Sequence, residues 1–165
     1  MIRVVLVTGV SGVGKTTVGR RLAERLGWRF VEGDDYHPSP SIAKMSRGDA
    51  LTEADRAPWL ARLGEVVGEV LADDGTAPCV VAVSALRRAH RRMLHAGDPR
   101  VLLVHLHAPG AVLARRLEAR AGHFFGPELV ASQLAALEQP RRALRLDAAL
   151  PVDEIVERVA ARVAG

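Results

Sequence analysis

Glu32 and Asp34 close the apolar run Trp28 to Val31 and stand two residues apart, so on an extended chain both carboxylates point to one side. Upstream, Gly9-Val10-Ser11-Gly12-Val13-Gly14-Lys15-Thr16 reads G-x-x-x-x-G-K-T directly after a second apolar run, Val4 to Val7. A loop of this kind turns backbone N–H groups inward at the start of a helix and holds a polyphosphate by dipoles. Lys15 would reach the β- and γ-phosphates, and the Thr16 hydroxyl would face Mg2+. The chemistry these residues suit is phosphoryl transfer, for which the loop offers positioning and positive charge but no group to accept a proton from an acceptor hydroxyl.

That carboxylate has few places to come from. Cys79 to Val83 runs into Ser84, and Val101 to Leu106 runs into His107, so neither later apolar run ends in a carboxylate. Asp34 is therefore the candidate general base, with Glu32 as an outer contact to the water ligands of the metal. Taken alone, Gly33-Asp34-Asp35 reads equally well as an acidic turn capping a helix. His95, His105 and His107 read as structural, because no histidine or cysteine spacing suggests zinc.

The elements that must position these groups alternate along the chain. Periodicity predicts strands near 3–8, 29–33, 79–84, 101–107 and 143–147. Helices are predicted near 15–26, 39–47, 53–73, 86–96, 109–120, 127–138 and 152–164. Strand followed by helix, repeated about five times, predicts an α/β fold with a mainly parallel five-stranded sheet covered on both faces. Such sheets bind ligands at the carboxyl ends of their strands. Two stretches interrupt the rhythm, residues 36–60 and 119–127, and in a phosphotransferase they are natural places for a substrate-binding insert and a closing lid.

Composition sets outer bounds. With 165 residues, 48% of them hydrophobic and 25% charged, the chain fits one globular domain, 1–165, without interdomain linkers. No apolar run approaches the length of about 20 residues that spans a bilayer, and no secretory signal pattern opens the sequence. A single cysteine, Cys79, sits in an apolar run as an inert thiol, so a reducing cytoplasm is expected. The net charge is +4, and Lys15 and Lys44 are the only lysines among 23 basic residues. Those residues are dispersed and aromatics are 4%, so nucleic acid is not an expected partner. A basic cleft for an anionic nucleotide accounts for part of the charge.

Four segments together resemble the bacterial-type gluconokinases, small kinases similar to shikimate and adenylate kinases. The first is the phosphate loop, Gly9 to Thr17. The second is Gly33-Asp34-Asp35-Tyr36-His37-Pro38, continuing through Lys44-Met45, Gly48, Leu51, Asp55-Arg56 and Pro58-Trp59-Leu60. The third is Ser84-Ala85-Leu86-Arg87-Arg88 with Arg91, and the fourth is Arg120, Gly122-His123-Phe124, Leu129, Ser132-Gln133 and Leu137-Glu138 with Pro140. The chain departs from the pattern at Ser41, where the family usually has asparagine, Ala50 (proline), Glu53 (aspartate), Val83 (cysteine) and His90 (tyrosine).

The resemblance implies a P-loop kinase fold and ATP-dependent phosphorylation of D-gluconate to 6-phospho-D-gluconate with Mg2+. It implies that Asp34 activates the 6-hydroxyl and that Lys15 steadies the transferred group, with Gly9, Val10, Ser11, Gly12, Val13, Gly14, Lys15, Thr16 and Thr17 holding ATP. His37, Lys44 and Arg56 would bind gluconate, with Ser84 and Arg87 near the same pocket. Arg56 offers a carboxylate the bidentate fork that Lys44 lacks. Arg116 would stack on adenine and Arg120 would reach the phosphates, the two sharing a helix face four residues apart. His123 is a further substrate-binding candidate, although a lone histidine beside Phe124 and Phe125 also reads as packing. Glu32 and Thr16 are the metal-side candidates. The stripe Trp59, Leu63, Val66, Val67 and Val70 reads as core, and the resemblance makes a homodimer contact on part of that helix plausible. Two alternatives stand beside this one: a related kinase for another sugar acid or small polyol, and a nucleotide-binding protein without turnover. The latter has no need of Asp34, His37, Lys44 and Arg56 together.

Overall fold

A computed structural model describes residues 1–119 and 127–165. Among the described residues, five strands form one sheet in the order β2-β3-β1-β4-β5. The strands are β1 (Val4–Thr8), β2 (Arg29–Glu32), β3 (Cys79–Val83), β4 (Val101–His107) and β5 (Leu144–Asp147). All four pairings are parallel. Later strands join on both sides of β1, so the crevice above its carboxyl end is where such a sheet takes ligands.

Parallel strands are buried on both faces, which is why β1 and β3 are apolar throughout and hidden along their whole length. Alternation divides their side chains between two cores. Val5 and Val7 pack with α1 (Lys15–Leu26), α5 (Gly110–Glu118), α6 (Pro127–Ala136) and α7 (Val152–Ala164) through Leu22, Leu113, Val130 and Ile155. Val4 and Leu6 face the other way, onto Trp59, Leu63 and Val67 of α3 (Glu53–Ala72) and onto Leu94. The stripe on α3 is thus used within the chain. Two further helices, α2 (Ser39–Ser46) and α4 (Arg88–Met93), follow β2 and β3 in the chain. Among the described residues no helix is long and apolar enough to cross a membrane.

The element boundaries depart from expectation in two informative places. The helix expected over 86–96 is only Arg88–Met93, because the segment before it is committed to loop contacts and the chain turns out through His95 at φ +57°. The strand expected over 29–33 stops at Glu32, and Gly33–Tyr36 winds into a turn of 3-10 helix.

His105 of β4 is 2% exposed, and its Nε2 has no hydrogen-bond partner among the described residues. Burial, followed by the positive neighbours Arg145, His107 and Arg91, pulls its pKa down to about 4. Below the ordinary histidine value the unfolded chain takes up a proton that the folded chain refuses, so stability falls as pH drops from about 6.5 toward 4. Urea denaturation at pH 7 and pH 4.5 should show wild type losing roughly 2 kcal/mol more than His105→Gln over that interval; parallel profiles would remove His105 as the cause.

Candidate active site

The glycine-rich segment between β1 and α1 folds back over the end of β4. Gly9 has φ +147°, and a Cβ there would lie 2.6 Å from the Leu106 carbonyl oxygen, so only glycine fits. The Val13 N–H donates to the Val10 carbonyl at 3.3 Å, and the Lys15 ammonium donates to the same oxygen at 3.1 Å. The loop is thereby curled with Lys15 lying across it, as a phosphate cradle requires.

Thr16 and Glu32 meet at the loop's outer end. The Thr16 hydroxyl donates to a Glu32 carboxylate oxygen at 2.7 Å. Burial pushes the Glu32 carboxyl above its usual range, while the Thr16 bond and the Asp34 backbone pull it back. A hydroxyl and a carboxylate, both hard oxygen donors at the head of the phosphate loop, fit Mg2+, which takes few protein ligands and keeps several waters.

Gly33 explains where the next carboxylate goes. A Cβ on it would stand 2.5 Å from the Ala82 carbonyl oxygen and 3.2 Å from the Val83 side chain. The chain passes this close to β3 and then turns, so Glu32 and Asp34 are not alternate residues on an extended strand as expected. They still lie close enough for Asp34 to raise the Glu32 carboxyl by charge repulsion. Glu32 turns toward Thr16, and Asp34 turns toward the adjoining cavity. Gly33→Ala should cost about 1–3 kcal/mol in urea denaturation, as overpacking does, and should lower turnover by moving Asp34. A variant as stable and as active as wild type would show that this approach is not required.

That cavity, of about 360 Å³, is lined by Ser11 from the phosphate loop together with Asp34, His37, Arg56, Ser84 and Arg87. Trp59 holds its floor. The indole N–H donates to the Gly33 carbonyl at 2.7 Å, and its ring stacks on His37 with centroids 4.1 Å apart at 16°. His37 is buried, its Nε2 lies 3.8 Å from an Asp34 oxygen, and its Nδ1 has no partner among the described residues. Burial lowers its pKa, against the pull of Asp34, so the ring is neutral near pH 7 and can both donate and accept. Burial also lowers the Arg56 guanidinium from its usual value, and Glu53 draws it back up.

Lys44 does not line this cavity. Its ammonium donates to both oxygens of Asp55 at 2.8 Å, and Asp55 also closes the capping box with Thr52 that starts α3. These bonds hold the Asp55 carboxyl at about 2. Ser41 is likewise internal, its hydroxyl donating to the Asp55 carbonyl at 3.5 Å. Arg116 donates to the Ala148 carbonyl at 2.9 Å and the Val13 carbonyl at 3.4 Å, which sets it beside the phosphate loop. Arg120 and His123, and the lid segment apart from its end residues Ala119 and Pro127, lie outside the described residues.

Three groups at the site had no assigned role in the sequence reading. Gln133 of α6 grips Ser11 from both sides, accepting its N–H at 2.7 Å and donating to its hydroxyl at 3.0 Å. Arg91 donates to the Ala85 and Leu86 carbonyls and to the Glu138 carbonyl, tying the Ser84 loop to the chain beyond α6. Glu53 stands between Arg56 and Arg87 and bonds His90 at 2.8 Å. Ser132-Gln133, Arg91 and Glu138 were visible as motif residues, but their partners lie too far away in sequence to be read from spacing.

A family model described as an AAA domain matches residues 4–144. A gluconokinase of Gluconobacter oxydans (strain 621H) is 48% identical over 139 residues, covering 84% of this chain and 76% of that protein. The crystal structure of a gluconokinase from Sinorhizobium meliloti 1021 superposes with a TM-score of 0.84 at 44% identity, covering 97% of this chain and 90% of that one. A shikimate kinase from Bacteroides thetaiotaomicron shares the fold at a TM-score of 0.70 and 18% identity, with 98% of each chain covered.

Proposed function

The chain belongs to the gluconokinase family, and from that premise we propose how its residues carry out the reaction: ATP and D-gluconate give ADP and 6-phospho-D-gluconate. It is a P-loop kinase, an ATP-dependent phosphotransferase. The observation that supports the residue roles best is the single cavity in which Ser11 of the phosphate loop meets Asp34, His37, Arg56, Ser84 and Arg87. A residue of the donor side and the acceptor residues therefore line one cleft, as in-line transfer needs.

In this reading residues 9–17 hold the phosphates of ATP and Arg116 flanks the base. Arg56, with Arg87, takes the gluconate carboxylate, and His37 and Ser84 take hydroxyls. Asp34 accepts the proton of the 6-hydroxyl as that oxygen bonds to the γ-phosphorus and the bond to the β-phosphate oxygen breaks. Lys15 follows the charge that moves onto the phosphoryl and leaving oxygens. Thr16, with Glu32 behind it, would hold Mg2+, which neutralises phosphate charge when bound. Lys44 acts through Asp55, fixing the start of α3 and so Arg56. The proposal covers one domain, 1–165, with the acceptor insert near 36–60 and the lid near 119–127. It extends to a cytoplasmic setting and a homodimer, which equilibrium sedimentation tests.

ADP release coupled to NADH oxidation, measured with gluconate, shikimate, nucleoside monophosphates and glycerate as acceptors, tests the acceptor. Gluconate should give the highest kcat/KM by at least about tenfold, the discrimination a built polar site supplies readily. A tenfold preference for any other compound would reassign the substrate.

A further inference from the structure

The acceptor cavity contains a charged cluster that substrate binding alone does not explain. The Glu53 side chain, first residue of α3, places one carboxylate oxygen 4.0 Å from Arg56 Nε and 3.7 Å from Arg87 Nε. Its other oxygen meets the Nε2 of His90 at 2.8 Å. Glu53 is 55% exposed, whereas the His90 side chain is 5% exposed and held from behind, its Nδ1 facing the Arg87 backbone N–H at 3.5 Å. With Nδ1 accepting, Nε2 carries the proton and donates to Glu53. A buried imidazole thus anchors an accessible carboxylate, and the carboxylate spans two guanidiniums from different elements, Arg56 on α3 and Arg87 at the start of α4. The bond from His90 is also the leading reason that the Glu53 carboxyl lies below its usual range.

Unpaired, the two arginines would repel each other and sample many rotamers. An exposed ion pair gains little by itself, but one anchored carboxylate within 4.0 Å of both cations offsets their repulsion. The cluster keeps one net positive charge, matching a monoanionic acceptor. Glutamate reaches one methylene further than aspartate, and an imidazole ends short of a phenol hydroxyl. Shortening the acid while lengthening the ring offsets the two changes in reach, whereas either change alone opens or crowds the 2.8 Å contact.

We propose that Glu53 and His90 act as one positioning unit that aims Arg56 and Arg87 at the carboxylate end of the acceptor. This rests on gluconate as the acceptor, which wild-type turnover of gluconate checks before any variant is read. The test is a double-mutant cycle of Glu53→Asp, His90→Tyr and the combined variant, with KM for gluconate and for ATP, kcat and Tm measured on each. Each single variant should raise the gluconate KM about tenfold, and the combined variant should return within about threefold of wild type, a coupling in the range found for contacting residues. The ATP KM should stay within about twofold throughout, since the ATP-binding loop is untouched. Single variants with unchanged gluconate KM would overturn the proposal, and so would effects that add in the double variant. An ATP KM rising in step with that for gluconate would overturn it as well, because the pair would then serve the fold at large.

Discussion

Asp34→Asn should lower kcat by about 10²–10⁴-fold, the range over which a positioned general base contributes, while the ATP KM moves by less than about twofold. The amide keeps the size and hydrogen-bonding reach of the carboxylate but cannot take a proton from the acceptor. Asp34 has the placement such a base requires. It follows Gly33, whose carbonyl is held by Trp59, and it faces the cavity with His37 3.8 Å away. Its side chain is 75% exposed, so the substitution carries little cost in stability, and a loss of turnover cannot be ascribed to unfolding. Initial rates at saturating gluconate, with Tm measured in parallel, decide the matter. Turnover within about threefold of wild type would show that the proton leaves by another route.

Lys15→Met should cost about 10²–10³-fold in kcat, as loss of a preorganised charge opposite a developing negative charge does. Methionine keeps the unbranched stem and most of its volume, so the loop can still close. The ammonium lies 3.1 Å from the Val10 carbonyl, across the same loop that is to receive the phosphates. It needs little reorganisation to follow the transferred group, and that is why its removal should weaken the transition state more than ATP binding. Single-turnover rates with preincubated ATP separate the two effects. A fall of less than tenfold in the single-turnover rate, with the loss confined to ATP affinity, would make Lys15 a binding residue only.

The sheet was legible in the sequence because its strands are short apolar runs bounded by turn residues, and burial on both faces demands that composition. The start of α3 was legible too: the helix expected from residue 53 begins at Glu53, where the structure shows a capping box between Thr52 and Asp55. What spacing could not show were contacts made through space. Glu32 and Asp34 were read as alternate residues of a strand, but Gly33 lets the backbone press against the Ala82 carbonyl and turn. Lys44 was read as a ligand of gluconate, yet its ammonium is paired with Asp55. Gln133 and Ser11 are 122 positions apart, and no local periodicity reports such a bond. The acceptor residues sit on turns and helix starts, where geometry follows from a neighbour's carbonyl or ring, and so they are harder to place from sequence than the strands.

The stacking of Trp59 on His37 gives the molecule an optical property. Only two tryptophans are present, Trp28 and Trp59, and Trp59 is 1% exposed with an imidazole 4.1 Å from its ring centre. Indole emission is sensitive to an adjacent imidazole and to that ring's protonation. In a Trp28→Phe background, the fluorescence of Trp59 would therefore serve as an intrinsic reporter of occupancy on the acceptor side, without any attached dye and without turnover.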